Sequence, residues 1–380
     1  MMSRIDDLTE NYKYLQFSDA ASDGEYLWTV AENFNAIYKI RKSDFTTEFV
    51  CQVPDEDELG VELYASGVVK CGRKLYLIPG TAKKIAIYHM DDSKYTYLST
   101  EEMQGDHYPK FGVVIQRENY IYLFPQSLPV LYILKIDVQT DTMERIEFAM
   151  DFDIPRDRND VSFFGCSAGE DIWFGVAYPG IIGKFNYATN SVSFIELTTT
   201  DSYIYQIAEH GGILYLLTLQ NEVIAYDPKN EKEYTVWKDD SEELEQYSRI
   251  IYLENTLWLF PFKSNHIVRL NADKKEMAEY IEIPDSVIAW KKWGVYGRKY
   301  YGYHAEDNML YLYPDTTNTL LKISMENGEI IPYTLCTHRE KILRKQFIKQ
   351  ELNHLYYKDD LQYLIDLLVS EEGENGYEVD

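Results

Sequence analysis

The residue groups with the clearest chemical potential combine an aromatic ring with a nearby cation. Three such groups are Tyr108-Pro109-Lys110, Tyr247-Ser248-Arg249 and Trp290-Lys291-Lys292-Trp293. Rings offer stacking and cations offer charge-assisted hydrogen bonds, so a cluster of both suits peptides, sugars or small anions. The candidate ligand-binding residues are Tyr64, Tyr108, Lys110, Tyr203, Tyr247, Arg249, Lys292 and Trp293. The alternative is that each cation pairs with a neighbouring carboxylate and each ring serves packing.

Other kinds of chemistry have little support in the sequence. There is no GxSxG nucleophile motif and no GxxxxGK[ST] phosphate-binding loop. The seven histidines are dispersed without an HxH or HExxH pair, and the four cysteines have no CxxC spacing. The sequence therefore predicts no metal site and no cofactor. It leaves open whether the protein is an enzyme, and favours the answer that it is not.

The charge of the chain narrows the range of partners. The net charge is -26, from 63 acidic and 37 basic residues, and such a field repels nucleic acid and anionic lipid. We therefore expect neither nucleic-acid nor membrane binding. The N-terminal segment has no apolar core of a signal peptide, no run of about 18 apolar residues occurs, and the cysteines are scattered. These features together predict a cytoplasmic protein.

The elements that position these residues follow from an internal repeat. An aromatic residue recurs in a similar apolar strand every 42 to 53 residues, at Trp28, Tyr76, Tyr122, Trp173, Tyr215, Trp258 and Tyr311. Each of these strands is followed by a second apolar strand, a turn rich in Asx, Pro or Gly residues, and a third strand. A further apolar strand precedes each segment, which makes four strands per repeat. A period near 47 residues is typical of propeller blades.

The predicted fold is all-β, a seven-bladed β-propeller of four-stranded antiparallel blades with a short C-terminal helical extension. The propeller spans residues 1–335, with blades near 14–50, 63–99, 107–148, 161–197, 202–237, 246–283 and 290–335. The first strand of each blade is predicted to be innermost, for example Tyr64–Val69 and Tyr247–Tyr252. The starts of inner strands converge on one face of a ring, so we expect the candidate residues to meet around its axial mouth.

The repeat resembles the broad propeller group that includes the kelch, WD40 and quinoprotein-like members, over roughly residues 12–335. The resemblance lies in the strand pattern and its period. Among kelch features only the pair Gly211-Gly212 is present, and the WD40 Gly-His and Trp-Asp dipeptides are missing. The resemblance therefore implies a fold, and no family residues are carried over to this chain.

After the last repeat the pattern changes to a helical one. Residues 336–370 lack Gly and Pro and place Ile342, Ile348, Leu352 and Leu355 at helix-like spacing. Residues 371–380 are acidic and are predicted to be disordered. Two alternatives stay open for the helical extension: it packs as a lid on the propeller rim, or it docks a partner or a second copy.

Two functional hypotheses follow from these features. The first is a non-enzymatic binding or scaffold propeller that recognises a protein or peptide on its axial aromatic-basic face. The second is an enzyme, a hydrolase or lyase, acting on a glycan or small anionic metabolite in the axial pocket. A deep cation-lined funnel with a carboxylate of raised pKa would favour the second. The sequence does not determine the oligomeric state.

Overall fold

The computed structural model describes residues 15–17, 19–60, 62–99, 111–125, 132–149, 162–176, 178–241, 243–271, 278–287, 291–292, 295–296, 299–315, 317, 319–336 and 342. Within these residues the chain forms seven four-stranded antiparallel sheets, and the four strands of each sheet are consecutive in the sequence. This arrangement is a seven-bladed β-propeller, which confirms the predicted fold.

The first three blades have the following strands. Blade 1 contains β1 (Ala21–Ser22), β2 (Tyr26–Val30), β3 (Ile37–Arg41) and β4 (Thr47–Cys51). Blade 2 contains β5 (Gly67–Cys71), β6 (Lys74–Ile78), β7 (Lys84–His89) and β8 (Lys94–Ser99). Blade 3 contains β9 (Phe111–Arg117), β10 (Tyr120–Pro125), β11 (Tyr132–Asp137) and β12 (Thr142–Glu147).

The other four blades continue the pattern. Blade 4 contains β13 (Ser162–Ala168), β14 (Asp171–Val176), β15 (Ile181–Asn186) and β16 (Ser191–Glu196). Blade 5 contains β17 (Ile204–His210), β18 (Ile213–Thr218), β19 (Glu222–Asp227) and β20 (Lys232–Lys238). Blade 6 contains β21 (Tyr247–Leu253), β22 (Thr256–Pro261), β23 (His266–Leu270) and β24 (Glu279–Glu282). A short hairpin, β25 (Lys291–Lys292) and β26 (Val295–Tyr296), precedes blade 7, which contains β27 (Tyr300–Glu306), β28 (Met309–Pro314), β29 (Thr319–Ser324) and β30 (Ile330–Thr334).

The depth of each strand in its blade explains its sequence pattern. First strands of adjacent blades contact one another, as β13 contacts β17 and β17 contacts β21, so they surround the axis. Second strands are buried on both faces, and they therefore consist of nearly continuous apolar runs such as YIYLFP in β10. Outer strands alternate between half-buried and exposed residues, as in β8 and β16, because only one face meets the next blade.

The core is divided among the junctions between blades. The described buried residues form seven clusters, and each cluster draws side chains from two adjacent blades. One of them joins blade 7 to blade 1 and includes Phe17, Tyr38, Tyr313 and Leu320. Because the last blade packs on the first through a cluster like the other six, the ring is closed.

Closure uses chain segments that lie outside the blades. The backbone N–H of Leu15 donates to the carbonyl of Leu335 at 2.7 Å, and that of Phe17 donates to Pro314 at 2.8 Å. Ile342 is buried in the same cluster between blades 7 and 1, which is the kind of packing that the lid alternative predicts. The rest of the predicted helical extension at 336–370, and the acidic tail at 371–380, lie outside the described residues apart from Cys336.

Candidate functional site

Antiparallel pairing gives the ring two faces, which carry different connections between strands. The connections between blades, and the loops between second and third strands, lie on one face, which we call the entrance face because inner strands begin there. The turns between first and second strands, and between third and fourth strands, lie on the opposite face, the turn face. Tyr64, Tyr203 and Tyr247 precede or begin inner strands and Arg249 lies near the start of one, so the topology assigns these four candidates to the entrance face.

Two of the candidate tyrosines are buried in the packing between blades. The Tyr247 side chain is 3% exposed, its hydroxyl donates to the Asp239 carboxylate at 2.9 Å, and its ring lies edge-on to Trp237. Tyr64 is 2% exposed in the cluster between blades 1 and 2, and it precedes β5 rather than belonging to it. Burial raises the pKa of both phenols. The two side chains therefore lie within the packing between blades.

The other candidates differ in how much of them the structure describes. Tyr203 is partly buried immediately before β17, and its carbonyl accepts a hydrogen bond from the Leu219 N–H at 3.0 Å. Lys292 lies in β25, where its backbone pairs with Val295. Tyr108, Lys110 and Trp293 lie outside the described residues.

Arg249 occupies the position that most resembles a ligand site. It lies on the inner strand of blade 6, and its guanidinium stacks on the ring of Tyr303 in blade 7 at 4.9 Å from the ring centroid. Its positive charge also acts on the Asp19 carboxyl group in blade 1. Burial raises the pKa of Asp19, while Arg249 and the Ala20 N–H oppose this shift. The cation of Arg249 in blade 6 thus interacts with the Tyr303 ring of blade 7 and with the Asp19 carboxyl group of blade 1.

Asp19, Gln206 and Arg249 occupy equivalent places in their repeats. Each precedes by nine residues the repeat aromatic of its own blade, respectively Trp28, Tyr215 and Trp258. The corresponding residues of blades 2, 3 and 7 are Gly67, Val113 and Gly302. Gln206 is 2% exposed, and its side-chain amide nitrogen has no hydrogen-bond partner among the described residues. One level of the inner ring is therefore polar in blades 1, 5 and 6, a pattern that the sequence contained and our sequence analysis missed.

Most other contacts between cations and rings are parts of the blade structure. In five blades a cation on the third strand stands opposite the repeat aromatic of the second strand in the strand register: Lys39 and Trp28, Lys135 and Tyr122, Lys184 and Trp173, Arg269 and Trp258, and Lys322 and Tyr311. In the last three pairs the cation lies over the repeat aromatic itself, whereas Lys39 lies over Tyr26 and Lys135 over Tyr120. In three of the five blades the cation also binds a carboxylate on the fourth strand: Lys39 with Glu48, Lys135 with Glu144 and Arg269 with Glu279. These ladders stabilise blades and leave little of each cation for a ligand.

A groove on the entrance face lies between blades 6 and 7. Its volume is about 790 Å³, and its lining includes Lys263, Asn265, His266, Glu282, Asp285 and Lys299. These residues come from the loop after β22, the first residue of β23, the last residue of β24, the connection that follows it and the residue before β27. The same connection carries the β25–β26 hairpin, and therefore Lys292. The groove has a volume typical of ligand pockets, which range from about 300 to 1,000 Å³.

The charged groups of this groove differ in whether a charged partner lies beside them. Lys263 forms an ion pair with Glu245 at 3.2 Å, and His266 lies 3.8 Å from the Glu282 carboxylate. The Lys299 ammonium group donates to the carbonyl of Ser264 at 2.8 Å and to the side-chain oxygen of Asn265. Both of these acceptors are uncharged. Burial lowers the pKa of Lys299 because it removes the ammonium group from water.

Two further properties of the described residues bear on the site: the grouping of possible metal ligands and the character of the helices. No three His, Cys, Asp or Glu side chains in the described parts of the chain are grouped closely enough to hold a metal ion. No helix among the same residues has the length and the apolar character needed to cross a bilayer.

The arrangement of blades defines the class of protein as a seven-bladed propeller, and comparison with known proteins extends this result only at the level of fold. No family model matches the chain, and no curated protein matches its sequence. The chain is similar in structure to PorZ of Porphyromonas gingivalis, described as an essential surface component of the type-IX secretion system. The TM-score is 0.58 at 10% identity, over 85% of this chain and 39% of PorZ.

Two smaller propellers match over most of their own length. The BamB protein of Moraxella catarrhalis gives a TM-score of 0.54 at 8% identity, over 80% of this chain and 83% of BamB. The Pan2 WD40 domain of Neurospora crassa gives 0.55 at 10% identity, over 84% of this chain and 91% of the domain. At such identities the similarity shows the propeller fold alone.

Proposed function

We propose that this protein is a non-enzymatic binding propeller that recognises a protein or peptide on its entrance face, in the sector of blades 6 and 7. The observation that carries the proposal is the groove of about 790 Å³ between these blades. The loop after β22 in blade 6, the connection after β24 and the residue before β27 line it, so it presents several short segments on a rigid support. Propellers serve as such platforms in many unrelated functions.

The proposal moves the binding surface away from the whole axial mouth to one sector of the ring. Arg249 with Tyr303, the Lys292 hairpin and the groove all belong to blades 6 and 7. Arginine and tyrosine are enriched at protein interfaces because their side chains combine a broad apolar surface with hydrogen-bonding groups. The proposed partner is a protein or peptide, and the proposed location is the cytoplasm.

Affinity capture followed by reconstitution tests this proposal. Tagged wild-type protein, Arg249→Ala and the turn-face control Arg73→Ala are used as baits, and partners are quantified by mass spectrometry. A purified partner is then titrated against all three proteins by calorimetry. We expect Arg249→Ala to weaken binding at least tenfold and Arg73→Ala to leave the affinity unchanged. Equal affinities of the three proteins, with matched melting temperatures, would reject the entrance-face surface.

The enzymatic alternative has one observation in its favour. The Asp19 carboxyl group has a raised pKa and lies within the field of Arg249, as an acid–base residue would require. However, the cavity that Asp19 lines has a volume of only about 10 Å³, which is room for a single water molecule rather than a sugar ring. The binding function is therefore the better supported of the two.

A further inference from the structure

Lys299 is the only lysine among the described residues that is buried, with 8% of its surface exposed. It lies immediately before the inner strand of blade 7 and lines the groove between blades 6 and 7. No carboxylate of a described residue forms an ion pair with its ammonium group, which is held only by the Ser264 carbonyl and the Asn265 side chain. An ammonium group has three donors, so within the described part of the chain one donor is left for a further acceptor.

The other lysines of the described blades show how unusual this arrangement is. Lys39, Lys74, Lys135 and Lys184 are more exposed, with 16% to 33% of their side chains accessible, and each forms an ion pair with a carboxylate. In a chain with 63 acidic residues, a counter-ion is easily supplied. Burying a cation without a counter-ion is unfavourable. A bound anion would remove that penalty.

The surroundings of Lys299 restrict the charge of such an anion. Glu243, Glu282 and Asp285 also line the groove, while Lys263 is already paired with Glu245. A dianionic phosphate group would be repelled by the three carboxylates. A single carboxylate is repelled less, it matches the one charge of Lys299, which no described carboxylate pairs with, and one of its oxygens can accept the remaining N–H.

We infer that the groove between blades 6 and 7 binds a carboxylate group of a peptide, with the Lys299 ammonium group as its anchor. This inference rests on the proposed function and makes it specific, because it names the chemical group that is recognised. The carboxylate is either the C-terminal group of the peptide or an Asp or Glu side chain. The groove, at about 790 Å³, has room for several residues around it.

Retention of synthetic peptide pools on immobilised protein tests the inference. The first pool has random acetylated hexapeptides without Asp or Glu and with a free C-terminal carboxylate. The second has the same composition with a C-terminal amide, and the third adds one internal Glu to the amidated peptides. We expect wild-type protein to retain the first or the third pool at least tenfold better than the second. The better retained pool identifies the source of the carboxylate.

Two variants assign this preference to one residue. Lys299→Met should lose the preference, whereas the control Lys322→Met, which changes a lysine on β29 of blade 7 that does not line the groove, should keep it. Should Lys299→Met fail to fold, carbodiimide cross-linking of wild-type protein replaces it. In that experiment a bound carboxylate forms an amide with the Lys299 amine, which peptide mapping locates.

Several results would overturn the inference. They are equal retention of the three pools, a preference that survives in Lys299→Met, better retention of a phosphoserine pool than of either carboxylate pool, or cross-links that avoid Lys299. Absence of retention of every pool would also reject the carboxylate site. The binding proposal itself would still be decided separately by the titration of intact partners against Arg249→Ala.

Discussion

Two grooves on opposite faces of the ring each contain a lysine, and the two lysines differ in the partners of their ammonium groups. The groove on the turn face, between blades 2 and 3, has a volume of about 580 Å³ and is lined by Lys74 among others. The groove on the entrance face has a volume of about 790 Å³ and is lined by Lys299. Lys74 binds the Asp141 carboxylate at 2.6 Å, whereas the acceptors of Lys299 among the described residues are uncharged.

The difference separates a structural cation from one that is available to a ligand. Asp141 belongs to the turn between the third and fourth strands of blade 3, and it also accepts a hydrogen bond from the Tyr76 hydroxyl of blade 2. Lys74, Tyr76 and Asp141 thus form a closed latch between two blades. The charge of Lys299 has no such internal partner among the described residues. The volumes of the two grooves do not show which of them binds a ligand, whereas the pairing of their lysines distinguishes them.

The largest expected effect comes from breaking the latch with Asp141→Asn. Asp141 has a φ of 53°, and Asn tolerates this left-handed conformation, so the substitution removes the charge without adding strain. Lys74 and Asp141 are only 26% and 24% exposed, so the lysine would keep a partly buried charge without a partner. We expect the free energy of unfolding to fall by about 2 kcal/mol. Urea denaturation measures it, and a loss below about 0.5 kcal/mol would contradict the latch.

The next effect has the opposite sign and concerns Lys299→Met. Replacing a buried charge without a counter-ion by an apolar side chain of similar length is expected to raise the free energy of unfolding by about 1 kcal/mol. The same denaturation experiment at pH 7 measures the gain. A loss of stability would instead show that the hydrogen bonds to Ser264 and Asn265 outweigh the burial of the charge. Lys299 would then belong with Lys74 as a structural cation.

These two lysines also show what sequence reasoning can predict. The spacing of the repeat aromatics predicted the ring and its strands because every blade must bury the same second strand. Register within the blade also follows from that spacing, so Asp19 was detectable nine residues before Trp28. Lys299 stands twelve residues before Tyr311, as Tyr203 does before Tyr215, but this spacing does not reveal its burial or its hydrogen bonds to Ser264 and Asn265 of the neighbouring blade. The burial of Tyr247 could not be predicted from the sequence either, because a tyrosine is suited both to packing and to binding.

The third prediction tests whether burial or the charge of Arg249 has the larger effect on the Asp19 carboxyl group of the inner ring. The pKa of Asp19 is raised above its ordinary value of 3.8 by burial, so the folded state holds its proton to higher pH than the unfolded state. Stability from this group therefore falls as pH rises from about 4 through the folded-state pKa. We expect Asp19→Asn to remove this fall, because the amide does not titrate.

Unfolding free energies of both proteins, measured across this pH range, check the prediction. The difference in favour of Asp19→Asn should grow with pH and then level off. A difference that moves toward the wild-type protein would mean that Arg249 stabilises the ionised carboxylate by more than burial destabilises it. In that case the inner ring would resemble the turn-face latch, in which a carboxylate pairs with a cation, and Lys299 would differ from both.

The smallest expected effect concerns the exposed pair that flanks the turn-face groove. The Arg73 guanidinium binds the Asp91 carboxylate at 2.8 Å, but the side chains are 63% and 72% exposed. Water screens such a pair, so a double-mutant cycle with Arg73→Ala and Asp91→Ala should give a coupling energy below about 0.5 kcal/mol. A coupling near that of Lys74 and Asp141 would mean that distance alone, rather than burial, governs ion pairing in this ring. The contrast drawn between the two grooves would then lose its basis, because Lys299 differs from the other lysines in burial as much as in pairing.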